Sequence, residues 1–304
     1  MANLSATQRI LRTCWLISTA PFPAPALPAD DSDDVSTNDS VPPPHVISDI
    51  QFEEEDIIDT IDELSCNAAA SPDGFPAVLF TCKEQLAKPL YQIYRTSLDQ
   101  GTVPTSLKKA TIVPVHKGGS RGPPKNYRPS ALTSHLSNVF EQEIREELVA
   151  FLEDNQLLNP GQHGFRTGRS CLSQLLTHLD EILNALEGGN NVDVVYLDFS
   201  KAFNKVDFLV TLRKLSQLGV QGTLHAGLAS FLTDRVQSVI VDGISSHTCQ
   251  VTSGVPQGSV LEPLLFLILI RDIDQNVESS FVSSFADDTR IGKAVGTTDD
   301  VNVL

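Results

Sequence analysis

Residues 279–295 read SSFVSSFADDTRIGKAV, and two adjacent aspartates lie in the middle of this stretch. The flanking residues favour extended backbone, so the stretch predicts two short strands with Asp287 and Asp288 at the tip of a hairpin. An Asp-Asp pair is also typical of an ordinary solvated turn. The choice between such a turn and a metal-binding site therefore depends on the rest of the chain.

A third aspartate ends a mostly apolar stretch earlier in the chain. Residues 192–199 read VDVVYLDF, which predicts a buried strand with Asp198 near its end. If this strand lies beside the hairpin, three carboxylates approach one another, and they repel unless a cation lies between them. Hard divalent ions such as Mg²⁺ take oxygen ligands, usually a few carboxylates together with substrate phosphates.

The other periodic stretches predict an α+β fold, with a few antiparallel strands backed by several helices. Residues 110–117 predict a strand, and VQSVIV and CQVTS, separated by Asp242 and Gly243, predict a β-hairpin. Helices are expected at 206–218, 223–232 and about 260–272.

Two further helices carry apolar stripes that we expect in the core. The first stripe comprises Leu136, Val139, Phe140, Ile144, Leu148 and Phe151. The second follows Ser170 and comprises Leu172, Leu175, Leu176, Leu179, Ile182, Leu183 and Leu186.

The composition of the 304 residues, 41% hydrophobic and 20% charged, is ordinary for a globular protein. Residues 18–48 are rich in Pro, Ser and Asp, so we expect a disordered acidic segment at 1–48 and an ordered domain at 49–304. The five cysteines form no CxxC pair, which favours a reducing compartment, the nucleus or the cytoplasm. No apolar run is long enough to predict a membrane helix.

The net charge of −16 argues against a nucleic-acid partner, but its distribution does not. Residues 1–64 contain thirteen acidic side chains and only two basic ones, Arg9 and Arg12. Between residues 100 and 140 there is no acidic residue, and six basic ones occur: Lys108, Lys109, Lys117, Arg121, Lys125 and Arg128. This segment is either a solvated surface loop or a surface for phosphates.

Seven stretches, in this order, resemble the reverse transcriptases of non-LTR (LINE-type) retrotransposons, particularly jockey- and CR1-like members. They are SPDGFPAVLF, PVHKGG, NYRPSALTS, NQLLNPGQHGFRTGRSCLSQLL, VVYLDFSKAFNKVD, GVPQGSVLEPLLF and FADDTR, between about Ser71 and Val295. The resemblance implies the fingers and palm of a right-hand polymerase, with an antiparallel palm sheet backed by helices. It also implies an RNA-directed DNA polymerase that uses two Mg²⁺ ions, with Mn²⁺ as a possible substitute. An RNA template, a DNA primer and a dNTP are the implied partners, and no obligate protein partner is expected.

The same resemblance implies a role for each matched residue. Asp198 and Asp287 match the metal-binding aspartates of the palm, and Asp288 matches the neighbouring catalytic carboxylate, so all three are candidate metal ligands. Phe203 matches the aromatic gate that excludes a 2′-hydroxyl, and Gln257 matches a glutamine of the nucleotide pocket. Basic residues complete the set. Lys117 and Arg128 match fingers residues that hold the triphosphate, while Arg166, with Arg169, is expected either to contact template or substrate backbone or to cap a helix at the surface.

Several residues depart from the family's pattern. Asn204 replaces an aspartate after the gate, Phe208 replaces a histidine, and Glu262 stands where relatives usually have glycine. A carboxylate buried at Glu262 without a partner would cost roughly a few kcal/mol. After Val295 the sequence leaves no room for a thumb, so the alternative is a truncated, non-catalytic remnant that at most binds nucleic acid.

Overall fold

The structure is a computed structural model that describes residues 43–66, 68, 71–199, 202–275, 277 and 280–296. Of the segment predicted to be disordered, 1–48, residues 1–42 lie outside this description. Ile47 forms a β-bridge with Val220, and its N–H donates to the carbonyl of Gly219 at 2.9 Å. Ordered structure therefore begins before residue 49.

The described residues contain seven α-helices and eight strands. The helices are α1 (Glu54–Asp62), α2 (Lys83–Gln100), α3 (His135–Asp154), α4 (Cys171–Glu187), α5 (Phe208–Gln217), α6 (Gly222–Leu232) and α7 (Glu262–Leu269). The strands are β1 (Lys109–His116), β2 (Tyr127–Thr133), β3 (Asn191–Asp198), β4 (Val236–Val241), β5 (Ile244–Ser245), β6 (Cys249–Gln250), β7 (Phe281–Phe285) and β8 (Asp288–Val295). The mixture of helices and mainly antiparallel sheet confirms the predicted α+β class.

The chain divides into two compact units. The first comprises Met1–Leu148 and Phe203–Glu262, and the second comprises Val149–Ala202 and Pro263–Leu304. Among the described residues, no helix combines the length and the apolar character that crossing a membrane requires.

In the first unit, helix α3 packs through most of the apolar stripe that the sequence predicts for it. Helix α3 buries Val139, Phe140, Ile144 and Leu148, each at most 5% exposed. The ring of Phe140 stacks on Tyr94 of α2, with the centroids 4.8 Å apart and the planes 14° from parallel. Stacked aromatic pairs of this kind add about 0.5–1.5 kcal/mol beyond the area that they bury.

The sheet of the first unit has the strand order β2-β1-β4-β5, and β6 also pairs with β4. Strands β1 and β2 are antiparallel, whereas β1 and β4 are parallel. The predicted turn at Asp242 and Gly243 joins β4 to β5, and both residues have positive φ angles, 51° and 77°. Two residues with positive φ are typical of the tight turn that matches the twist of a hairpin.

The second unit contains an antiparallel sheet of strand order β3-β8-β7. The prediction of a buried β3 is wrong, because none of its residues is buried and Tyr196 is 70% exposed. Strand β3 lies at the edge of the sheet and pairs with β8 alone among the described strands. Its alternation of exposed and half-buried residues therefore reflects one covered face.

Helix α4 also departs from its prediction. All six leucines of its apolar stripe are exposed, from Leu175 at 43% to Leu172 at 65%. The buried residues of α4 are instead Gln174 and His178, and Gln174 Nε2 donates to the hydroxyl of Ser283 on β7 at 2.9 Å. The helix packs on the sheet through its polar side because the covered strand carries polar groups that need partners.

Candidate active site

The three aspartates singled out by the sequence lie at one end of the sheet of the second unit. Asp198, the last residue of β3, is the cross-strand partner of Asp288, the first residue of β8. Directly opposed residues of an antiparallel pair have Cβ atoms about 5 Å apart, and like charges in such a pair destabilise the sheet. Asp287 immediately precedes Asp288 in the turn from β7 to β8. This concentration of negative charge favours a bound cation.

The turn that carries Asp287 is tight and strained. Strands β7 and β8 are joined by only two residues, Ala286 and Asp287, and Ala286 has a φ angle of 55°. Glycine is the usual residue at the first position of such a turn, because a Cβ atom makes positive φ costly. Ala286 is nevertheless buried, at 7% exposure, and its backbone N–H and carbonyl are both hydrogen-bonded to the side chain of Gln162 in the same unit.

The carboxylates differ in exposure, and they do not form a closed cage. Asp198 and Asp288 are exposed, and Asp287 is half-buried. Among the described residues, no group of three or more His, Cys, Asp or Glu side chains is arranged to hold a metal ion. The donor chemistry still suits Mg²⁺, since this ion commonly takes one or two carboxylates and completes its shell with water and substrate phosphates.

Two more predicted site residues, Lys117 and Arg128, share a hairpin in the first unit. Arg128 on β2 pairs with Val115 on β1, and the N–H of Lys117 donates to the carbonyl of Asn126 at 2.8 Å. Side chains alternate along strands, so Lys117 and Arg128 project from the same face. Of the six basic residues between 100 and 140, five are exposed, but Lys108 is buried and donates to the hydroxyl of Ser230. The hairpin thus presents a basic surface.

Phe203 and Gln257 lie in loops of the first unit that contact each other through backbone. The carbonyl of Phe203 accepts a hydrogen bond from Val255 N–H at 3.2 Å. At Gly254, which has a φ angle of 78°, an added Cβ would lie 2.6 Å from the carbonyl oxygen of Asn204. The sequence suggests that Gly254 lets backbone approach a substrate, whereas here the close approach is to the protein's own chain.

Gln257 and Asn204 line a cavity of about 140 Å³ in the first unit. Other walls come from the sheet, including Ile112, Pro114 and Pro129. The lining combines apolar surface with a few amide and hydroxyl groups, which is the usual character of a small-ligand pocket. The predicted nucleotide-pocket glutamine therefore borders this cavity.

Two buried carboxylates that the sequence does not mark as functional hold the loop after Gln257. Oε2 of Glu141 on α3 accepts hydrogen bonds from the Ser259 hydroxyl at 2.5 Å, Val260 N–H at 2.8 Å and Leu261 N–H at 3.2 Å. Oε1 of Glu141 accepts from the Ser137 hydroxyl at 2.8 Å. Hydrogen bonds to a carboxylate are stronger than those between neutral groups, so Glu141 holds this loop in place.

Glu262 is the second of these carboxylates, and in the fold its side chain has a hydrogen-bond partner that the sequence alone does not reveal. It is 6% exposed, and its Oε2 accepts from Gly258 N–H at 2.7 Å. Burial raises the pKa of Glu262 to about 7, while the Gly258 hydrogen bond opposes the rise. The nearby Glu141 contributes a further, smaller increase in that pKa.

Arg166 lies in the second unit and is engaged within the protein. Its Nε and Nη2 form an ion pair with Glu153, and Nη1 donates to the Asn159 carbonyl at 2.8 Å. The Arg166 hydrogen bond lowers the pKa of Glu153. Arg169 donates to the Pro160 carbonyl at 2.5 Å and to the Gln162 carbonyl at 3.2 Å. Contact of Arg166 with nucleic acid stays a prediction, and its present partners give it a role in shaping this loop.

Comparison with known proteins identifies the family. Residues 108–294 match the family model described as "Reverse transcriptase (RNA-dependent DNA polymerase)". The chain is 30% identical over 216 residues to the RNA-directed DNA polymerase from mobile element jockey of Drosophila melanogaster, covering 68% of this chain and 24% of that protein.

Two other relatives come from transposons of the same fly. The probable RNA-directed DNA polymerase from transposon BS is 31% identical over 209 residues, covering 68% of this chain and 22% of the relative. The corresponding protein from transposon X-element is 32% identical over 190 residues, covering 61% of this chain and 21% of the relative. The chain thus spans less than a quarter of the length of these curated relatives. Because the family model covers well over half of the chain, including all three aspartates, the protein belongs to the reverse transcriptase family, as its motifs predict.

Proposed function

We propose that this chain provides the polymerase centre of a retrotransposon reverse transcriptase, in which Asp198, Asp287 and Asp288 hold two Mg²⁺ ions. The observation that carries the proposal is the direct opposition of Asp198 and Asp288 across β3 and β8, with Asp287 adjacent in a strained turn. Two like charges in that position destabilise the protein unless a cation offsets them. The jockey and BS relatives are named as RNA-directed DNA polymerases, which supports the same function.

In this proposal the second unit is the palm, and the β1–β2 hairpin belongs to the fingers. The polymerase domain is proposed to comprise the predicted residues 49–304 together with the few preceding residues, such as Ile47, that pair with them. Mg²⁺, when bound, offsets the negative charge of the reacting phosphate and lowers the pKa of the attacking hydroxyl. The protein's own contribution is to hold three carboxylates at a fixed sheet end and to supply cations for the triphosphate from Lys117 and Arg128. Mn²⁺ takes similar oxygen ligands and is expected to substitute.

Two residues of the first unit are proposed to select the nucleotide. Phe203, a rigid half-buried ring, would lie under the sugar and reject a 2′-hydroxyl by overlap. Gln257 would contact the nucleotide from the cavity wall. The RNA template and the DNA primer are the proposed macromolecular partners, and the basic surface of the β1–β2 hairpin is suited to phosphate.

The test is incorporation of a single dNTP onto a DNA primer annealed to RNA, because one addition does not require processive synthesis. We expect Mg²⁺-dependent addition by the wild-type chain and a loss of at least about a thousandfold in Asp198→Asn, since removal of a group that acts on the reacting phosphate costs several kcal/mol. Asp193→Asn is the matched control, because Asp193 is an exposed aspartate of the same strand. Equal loss in both variants, or no metal-dependent addition by the wild type, contradicts the proposal.

A further inference from the structure

We propose that Gln162 is a positioning residue for the aspartate hairpin. Through its side-chain amide it holds Ala286, and with it the direction in which Asp287 and Asp288 project. This inference rests on the proposed function of the hairpin. It assigns to the glutamine of the NPGQHGF motif a role that neither the charge pattern nor the aspartate motifs indicate.

The amide of Gln162 forms three hydrogen bonds to two backbone segments. Its Oε1 accepts hydrogen bonds from Ala286 N–H and Gly164 N–H, both at 2.8 Å. Its Nε2 donates to the Ala286 carbonyl at 3.1 Å. Gln162 is 4% exposed, so water cannot readily replace these bonds. One side chain therefore satisfies both the donor and the acceptor of the residue before Asp287.

Ala286 is the position at which such support matters. Its φ angle of 55° is unfavourable for a residue with a Cβ atom. Backbone conformations of this kind persist only where the surroundings fix them, at a cost of about 1–3 kcal/mol. Rotation of the peptide group between Ala286 and Asp287 would change the direction of the Asp287 side chain. The hydrogen bonds that fix Ala286 therefore also fix the direction of Asp287.

The loop that presents Gln162 is itself held against β7. Ser284 N–H donates to the Gly161 carbonyl at 2.9 Å, and His163 N–H donates to the Ser284 carbonyl at 2.8 Å. At Gly164 an added Cβ would lie 2.3 Å from the Ala286 nitrogen, so only glycine permits this approach. The Gln162 carbonyl in turn accepts from Arg169. The glutamine is thus fixed at both its backbone and its amide.

Glutamate at this position offers a chemical test of the hydrogen-bond pattern. A protonated glutamate has one carbonyl oxygen to accept and one hydroxyl to donate, as the amide does. An ionised glutamate has no donor for the Ala286 carbonyl, and it adds a negative charge close to Asp287 and Asp288. The charged groups nearest to this position in the described contacts and in the chain are Arg169, which donates to the Gln162 carbonyl, His163, which is the next residue, and Asp287 and Asp288, which directly follow Ala286. The Gln162→Glu variant is therefore expected to keep its activity relative to wild type at low pH and to lose it at high pH.

The experiment measures single-nucleotide incorporation by the full chain for wild type, Gln162→Glu, Gln162→Met and Gln174→Met at a series of pH values. Gln174 is the matched control, because it is 2% exposed and its amide binds Ser283 and Arg290, which belong to strands of the same sheet and not to the two-residue turn. We expect Gln162→Met to lower kcat by about 10- to 100-fold at every pH with little change in the KM for primer–template, since small misplacements of catalytic groups cost about that much. Gln174→Met is expected to stay within about twofold of wild type.

Relative to wild type at each pH, Gln162→Glu is expected to recover activity as the pH falls. If the ratio of the Gln162→Glu rate to the wild-type rate stays constant across the pH series, the inference is overturned. An equal loss of kcat in Gln162→Met and Gln174→Met overturns it as well. Hydrogen exchange at Ala286 N–H provides a readout that does not depend on catalysis. Faster exchange in Gln162→Met but not in Gln174→Met supports the inference even if the wild type shows no incorporation. A lack of incorporation by the wild type would contradict only the proposed function. Unchanged exchange in Gln162→Met overturns the inference.

Discussion

Replacement of Glu141 by alanine should destabilise the first unit and loosen the loop that carries Gln257. Glu141 is 1% exposed and accepts four hydrogen bonds, two of them from the backbone N–H groups of Val260 and Leu261. Hydroxyl groups can rotate toward new partners, but these two N–H groups cannot. Each buried donor left without an acceptor costs about 1–3 kcal/mol, so we expect a loss of about 2–6 kcal/mol in the free energy of unfolding.

Glutamine at the same position should be much milder. Its Oε1 can accept the bonds from Ser259, Val260 and Leu261, and its amide can donate to the Ser137 hydroxyl. Only the strengthening that comes from the ionised acceptor is lost, which is about 1–2 kcal/mol. The matched control is Glu147→Ala, an exposed glutamate of the same helix.

Urea unfolding followed by far-UV circular dichroism measures these differences, and the KM for dNTP measures the functional consequence. We expect the order of stability to be wild type, Glu141→Gln, then Glu141→Ala, with Glu147→Ala close to wild type. The KM for dNTP should rise in the alanine variant, because Gln257 is two residues before Ser259. If Glu141→Ala unfolds within about 1 kcal/mol of Glu147→Ala, the hydrogen-bond reasoning is refuted.

Three further predictions concern Glu262, Arg128 and Arg166. The pKa of Glu262 is raised from 4.5 to about 7. As the pH rises between these two values, the unfolding free energy of wild type relative to Glu262→Gln should therefore fall by at most about 3 kcal/mol, and above pH 7 it should stay level. A difference that does not change with pH contradicts the burial of this carboxyl group. Arg128→Ala should raise the KM for dNTP by about 10-fold or more, since bonds to phosphate from a guanidinium are worth about 1.5–3 kcal/mol, whereas Lys125→Ala on the same hairpin should not. Arg166→Ala should lower the unfolding free energy by about 1–2 kcal/mol at pH 7. Because the pKa of Glu153 is lowered, that difference should shrink as the pH falls below the ordinary glutamate pKa, and a pH-independent difference would count against the ion pair.

The placement of the three aspartates could be predicted from the sequence, because strand patterns and one turn signal determine which residues lie at the sheet end. The sequence does not predict that β3 pairs with the hairpin; this pairing is only the condition under which the three carboxylates approach one another, and the fold fulfils it. The burial of β3 could not be predicted, since an apolar run does not reveal whether a strand is central or at an edge. For the same reason the leucine stripe of α4 identified a helix but not the face that packs on the sheet.

Glutamine and glutamate side chains that bind backbone leave no periodic signal. Gln162 and Glu141 each satisfy backbone groups of a segment more than a hundred residues away, and only the folded chain brings those groups together. The closeness of Gly164 to Ala286, which excludes any larger side chain there, is likewise visible only in the folded chain. Glu262 shows the opposite case: the sequence correctly indicates a carboxylate in an apolar helix, while the partner that makes it tolerable, Gly258 N–H, depends on the tertiary turn.

The most direct test of the proposed polymerase centre is the effect of Asp287→Ala on primer extension over an RNA template. The protein should extend the primer with Mg²⁺, and the variant, with an unchanged melting temperature, should lose at least about a thousandfold of that rate, because Asp287 is proposed to hold the ions that act on the reacting phosphate. Extension by Asp287→Ala at a rate close to that of wild type would contradict the assignment of the hairpin as the metal site.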